Sequence, residues 1–311
     1  MQEPPASHSG LRKFASRITL VVAIVLIVVK FGAWIGTGSI ALLTSVVDAI
    51  VDAGASLVTY LGVRYADRPP DLEHRFGHDK GEAVAAFTQA TFLAGAASVL
   101  AFQSVERLLF PQALGSLSFG VWVIAGSLIA AAGLAAMQTW VVRKTGSTAI
   151  AADRAHYLTD VAVNAGVLLA LVVTKFTGWQ RADPTFALLI AGYMFWNARQ
   201  IVQDALTQLL DHELPHADRQ RIRDRVLACP GVQSMHDLRT RHAGGRTFIE
   251  FHLEVDAALT VAQGHEIGDA AEAALADLFP GTVEATGHLE PFGIADARLD
   301  DRVRRAAHQR T

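Results

Sequence analysis

The sequence predicts an α-helical membrane protein: six transmembrane helices followed by a C-terminal α+β domain. Three observations predict it. Apolar segments recur between residues 18 and 210, each near the roughly 20 residues that span a bilayer. Only 18% of the 311 residues are charged, against about 25% in a soluble domain. From Asp211 onward the long apolar runs stop, and charged, mixed segments of helical and strand period take over.

The spans are expected at 15–36, 39–65, 82–109, 117–142, 153–177 and 182–206. The connections GTGS, RPPDLEHRFGHDKGE, FPQALGSLS, RKTGST and GWQRADP carry turn-forming residues. Lys and Arg concentrate in the N-terminal arm and in the loops after spans 2 and 4, which predicts both termini on the cytoplasmic side. The arm is expected over 1–14 and the membrane domain over 15–207; a cytoplasmic domain over 208–295 and a disordered tail over 296–311 complete the chain. Within the third of these, ADRQRIRDRVLACPG reads as a helix, and VQSMHDLRTRHA and RTFIEFHLEVD as a hairpin turning at Gly244-Gly245. VAQGHEIGDAAEAALADLFPG reads as a second helix and VEATGHLEP as a third strand. The order α-β-β-α-β fits a small two-layer domain.

A net charge of −3 gives no basic footprint for nucleic acid. The lone Cys229 excludes an intramolecular disulfide and a thiolate metal cluster. The chemistry rests instead on acids and histidines. Span 2 holds Asp48 and Asp52, and span 5 holds His156 and Asp160, each pair spaced i, i+4 and so stacked on one helix face. An ionised Asp in a bilayer is costly and needs compensation. Three carboxylates and one imidazole suit a tetrahedral divalent ion such as Zn²⁺. The same groups bind protons, so metal and protons compete for them, the chemistry of an antiporter. The competing reading, in which these groups only pair with neighbouring spans, meets few basic partners inside the spans. Asn164, Tyr157 and Gln138 are expected as helix–helix hydrogen bonds.

The loop after span 2 places Asp71, His74 and His78 at ligand spacing, or as ordinary polar loop residues. In the C-terminal domain His236, His252, His265, His288 and Glu290 form a candidate cluster for one or two metal ions; His288 and Glu290, at i, i+2, share a strand face.

The stretches GSIALLTSVVDAIVDAGASLVTYLGVRYADRPPD, HRFGHDKGEAVAAFTQA, ADRAHYLTDVAVNAG and HDLRTRHAGGRTFIEFHLE resemble the cation diffusion facilitator family, from about Phe14 to Ile294. The resemblance implies a homodimer in the inner membrane that exports Zn²⁺, with Cd²⁺ and Fe²⁺ as further substrates, in exchange for protons by alternating access. It implies a transport site of Asp48, Asp52, His156 and Asp160 and a loop site of Asp71, His74 and His78. It also implies a metallochaperone-like cytoplasmic domain with a binuclear zinc site on His236, His252, His265, His288 and Glu290. The last position is usually Asp in the family, so Glu290, one methylene longer, departs from the pattern, as does Leu289 beside it. An ion pair of Lys80 with Asp211 near the domain junction is implied as well. A membrane-anchored metal sensor or scaffold is the alternative function. An intramembrane metalloenzyme lacks its sequence signature, since there is no HExxH and the four ligands leave no open position for water.

Overall fold

The computed structural model describes residues 6–37, 40–110, 120–179, 181–279, 281–294 and 298–308. It divides into two units, one over Ala6–Leu206 and one from Thr207 onward.

The first unit is built of six long helices: α1 (Ala6–Thr37), α2 (Ile40–Ala66), α3 (Gly81–Leu109), α4 (Gly120–Thr145), α5 (Thr148–Thr177) and α6 (Ala182–Leu209). Among the described residues Ser9–Gly36, Gly81–Leu109 and Thr148–Thr174 are long and apolar enough to cross a membrane. Large apolar side chains such as Phe102, Ile129 and Phe176 point outward, as a lipid-facing surface requires. The ends of α5 follow from local chemistry. Ser147 accepts the N–H of Ile150 at the N-terminus, and Gly178, at φ +72°, closes the C-terminus.

Small residues set the helix spacing. Ala15, Ala85, Ala149 and Val63 pack together, as do Ala86, Ala152 and Ala205. A Cβ on Gly62 of α2 would lie 2.3 Å from the Cβ of Ala85 on α3, so only glycine permits that crossing. In a membrane, where lipid is as apolar as leucine, close backbone approach and interhelical hydrogen bonds hold helices together.

α1 starts earlier than the expected span. Its first turns carry Arg12, which is buried and donates to Glu82 of α3 at 2.8 Å and to Asp67 at 3.0 Å. Ser147 also donates to Glu82, while Lys13 and Ser9 engage Asp67. Burial pushes the Asp67 carboxyl up, but Lys13, Ser9 and Arg12 outweigh it and hold the group below the usual carboxylate range. From Ala6 the expected arm is helical and continuous with the first span.

The second unit contains α7 (His216–Leu227), β1 (Ser234–Ala243), β2 (Arg246–Val255), α8 (Val261–Leu275) and β3 (Thr282–Pro291). The strand order is β1-β2-β3, antiparallel and then parallel. One sheet face packs Met235, Ile249, Phe251 and Leu253 on Ile222 and Val226 of α7 and Leu275 of α8. The expected α-β-β-α-β order is present. Residues expected as disordered tail instead include a helix, α9 (Leu299–His308). Asp237, at φ +50° beside a β1 irregularity, accepts the N–H groups of Leu299 (2.6 Å) and Asp300 (2.8 Å) and so caps it. Arg298 donates to buried Glu254 at 2.6 Å. Burial raises the Asp237 carboxyl, but the Asp300 and Leu299 amides prevail and lower it overall. Composition alone reads this segment as solvated; its anchors come from β1 and β2.

The buried Arg12–Glu82 pair supports a stability prediction. Glu82→Ala leaves a guanidinium with fewer partners, and breaking such a pair costs roughly 3–5 kcal/mol. A clear fall in the melting temperature of the detergent-solubilised protein is expected, with most of it restored in the doubly apolar R12M/E82L protein.

Candidate metal centres

α2 and α5 bring Asp52, His156 and Asp160 together, with one ligand atom from each within 4.8 Å of the others. His156 Nε2 lies 3.1 Å from Asp52 Oδ1 and 3.8 Å from Asp160 Oδ2. The imidazole is largely buried and the two carboxylates are about a third exposed, at 32% each. His156 Nε2 is buried yet makes no hydrogen bond of good geometry. An imidazole nitrogen and two carboxylates converging on one point form a donor set for a divalent ion. Asp48 falls on α2 one turn before Asp52, and its side chain lies outside the described residues.

Neighbouring polar groups hold these helices in place. The Tyr157 hydroxyl is 3.2 Å from that of Ser56, tying α5 to α2. Asn164, expected as a helix–helix contact, donates instead to the carbonyl of Asp160 in its own helix at 2.7 Å. One turn before His156 lies Asp153, which sequence reasoning passed over. It is buried and accepts from Gln138 of α4 at 2.6 Å and from Gln89 of α3 at 3.3 Å. Gln138 also donates to Thr19 of α1, and Gln89 to Thr59 of α2. The i, i+3 spacing to His156 on one helix face was the available signal.

In the loop before α3, Asp71 Oδ1 accepts the N–H groups of His74 (2.7 Å) and Glu73 (2.9 Å) and faces His74 Nδ1 at 3.2 Å. Asp71 Oδ2 lies 3.3 Å from His78 Nε2. The His74 amide chiefly, with that of Glu73, holds the Asp71 carboxyl below its usual range. His78 is buried, with Nδ1 unpartnered, and the two imidazoles stand 4.5 Å apart. All three expected loop residues therefore share one locus.

The sheet face opposite the apolar core carries the third cluster. His236 pairs with His252 across the antiparallel register, and His252 with His288 across the parallel one. His236, His252 and Glu290 converge within 4.8 Å. His252 Nδ1 is 2.7 Å and His236 Nε2 3.2 Å from the Glu290 carboxylate. Neither nitrogen of buried His236 makes a hydrogen bond of good geometry. A buried imidazole left so, beside a carboxylate and a second imidazole, fits a bound metal. His288 stands at the margin, 3.7 Å from Glu290 and 68% exposed. His265 does not join the group; it projects from α8 and lies 3.6 Å from Asp269. The family resemblance groups His265 with the others, but α8 packs on the apolar face of the sheet. Lys80 precedes α3 in the first unit, while Asp211, in the second, lies 3.5 Å from Arg241.

Residues 16–210 match the family described as the cation efflux transmembrane domain, and residues 214–292 match the cation efflux protein cytoplasmic domain. The cation-efflux pump FieF of Pectobacterium carotovorum subsp. carotovorum (strain PC1) is 43% identical over 274 residues, covering 88% of this chain and 91% of that protein. FieF of Salmonella choleraesuis (strain SC-B67) is 41% identical over 288 residues, with 93% and 95% covered. The solved zinc form of CzrB is 39% identical, covers 28% of this chain and 99% of that one, and superposes with a TM-score of 0.25. Two domain matches in tandem, and relatives that align along almost their whole length, show that the chain belongs to the cation diffusion facilitator family of divalent-cation exporters, transporters rather than enzymes.

Proposed function

We propose that the protein is a Zn²⁺/H⁺ antiporter of the inner membrane, exporting Zn²⁺ and also Cd²⁺ and Fe²⁺ from the cytoplasm. The observation that carries this reading is the convergence of Asp52, His156 and Asp160 on two adjacent helices of the bundle. With Asp48 on the same face of α2, the donor set is three carboxylates and one imidazole. Carboxylate and imidazole ligands must lose protons to bind metal, so each Zn²⁺ that enters displaces protons, and protons arriving from the other side release it. An all oxygen-and-nitrogen site holds zinc less tightly than thiolates would, which suits an ion that must leave. The His156 nitrogen favours Zn²⁺ and Cd²⁺ over harder ions.

The same reading makes the chain a homodimer with both termini in the cytoplasm and six spans. Zn²⁺ held by His236, His252 and Glu290, joined by His288 and by His265 at the subunit boundary, tightens the dimer. Asp71, His74 and His78 form a second resident zinc site. The longer Glu290 reaches both His236 and His252, so the departure from aspartate keeps a bridging carboxylate in place. The family resemblance adds an ion pair of Lys80 with Asp211 to this reading.

Two expected outcomes test this. In proteoliposomes, Zn²⁺ drives proton flux, and Asp160→Ala reduces it to the level of empty vesicles while the purified variant stays folded. Full flux from Asp160→Ala would sink the site assignment, and binding without flux in the unmodified protein would favour a sensor or scaffold. For the C-terminal cluster, His236→Leu lowers the zinc bound per chain in equilibrium dialysis. It leaves the melting temperature of the metal-free protein near that of the parent, because a buried imidazole without a hydrogen bond contributes little to stability.

A further inference from the structure

Among the described residues two acids of the bundle are almost wholly buried, Glu82 and Asp153. Glu82 has the Arg12 guanidinium beside it. Asp153 has no Lys or Arg so placed. It is 1% exposed, and its hydrogen-bond partners are two neutral amides, Gln89 and Gln138. Thr19 of α1 and Thr59 of α2 sit behind those amides. The groups whose charges reach it, His156 and Asp160, lie on its own helix, and the hydroxyl of Tyr157 is held by Ser56. Arg154, the next residue, is turned to another face of α5 by helical geometry.

A buried ionised carboxylate without a cation is costly, whereas a neutral carboxyl needs only a partner for its O–H. That partner is at hand. Gln138 donates through Nε2 to Asp153, while its buried Oε1 has no hydrogen-bond partner. A half-turn of the terminal amide exchanges the two atoms and presents Oε1 as an acceptor. The same pair of side chains is therefore satisfied with Asp153 ionised, accepting from Nε2, or neutral, donating to Oε1. A structural acid locked in one charge state has no use for the second arrangement.

We propose that Asp153 is a further proton-carrying carboxyl of the transport cycle, protonated in the metal-free bundle and ionised when a divalent ion occupies Asp52, His156 and Asp160. This rests on the antiport reading above. The ion's charge, one helical turn away, favours the carboxylate. The O–H bond breaks with its electron pair left on oxygen, and the proton leaves to solvent water. Gln138 turns back to donate. The reverse follows as the ion leaves.

The test compares the unmodified protein with Asp153→Asn and Gln138→Leu in proteoliposomes, measuring Zn²⁺ and H⁺ flux together across a pH series. Asparagine keeps the shape and the amide contacts but cannot carry the proton, so D153N should still move Zn²⁺ with about one proton fewer per ion. Q138L removes the donor to the carboxylate. The ionised form loses support, so the pH at which zinc releases protons should rise. An unchanged H⁺/Zn²⁺ ratio in D153N, with an unchanged pH profile in Q138L, overturns the proposal and leaves the antiport reading intact. Absence of proton flux in the unmodified protein overturns the antiport reading and the proposal together. If D153N does not fold, infrared difference spectra decide: a carboxylic C=O band lost on adding Zn²⁺ should shift in Q138L, and identical spectra for the two proteins would refute the assignment.

Discussion

The polar interior of the first unit depends on one constraint: an acid inside a low-dielectric helix bundle must have a partner. The protein meets it in three ways. Glu82 is neutralised by the Arg12 guanidinium and held by Ser147. Asp153 is cradled by two amides. Asp52 and Asp160 share an imidazole whose nitrogen makes no good hydrogen bond. The packing follows from these needs. Side chains as short as Asp and Gln meet across helices only when the backbones come close, and alanines and Gly62 at the α2–α3 crossing and at the contacts of α1, α4 and α5 provide that closeness. Small residues and buried acids are thus two halves of one arrangement.

The second unit divides its labour by strand alternation. Met235, Ile249, Phe251 and Leu253 face the helices, and the residues between them face the other way with His236, His252 and Glu254. Core packing and the candidate ligands therefore occupy opposite faces. The irregularity after His236 breaks the alternation locally. It turns Asp237 toward the start of α9, so that the residue next to a candidate ligand anchors the chain's last helix.

Much of this was legible in the sequence because it is written in period. The i, i+4 pairs in apolar runs, the i, i+2 pair His288 and Glu290, and the hairpin at Gly244-Gly245 each follow from helix or strand geometry. What was not legible depends on long-range partners. Arg12 reads as a solvated charge until Glu82, far along the chain, is placed beside it. Asp153 carries no signal beyond its spacing to His156 until Gln89 and Gln138 are placed beside it. The helix at Leu299–His308 reads as tail because its anchors, Asp237 and Glu254, lie on strands. His265 enters through the family resemblance, and within one chain α8 packs on the sheet face away from His236, His252 and Glu290.

The mixed register of the sheet has a consequence for how the chain acquires its fold. His236 and His252 lie on a tight hairpin and meet through a short loop, whereas Glu290 arrives on a parallel strand only after α8 has crossed over. Short loops close early, and such crossovers are slow. The hairpin therefore brings two imidazoles together early, and the three side chains converge only once β3 has paired in register, so the candidate site is complete only when the sheet is.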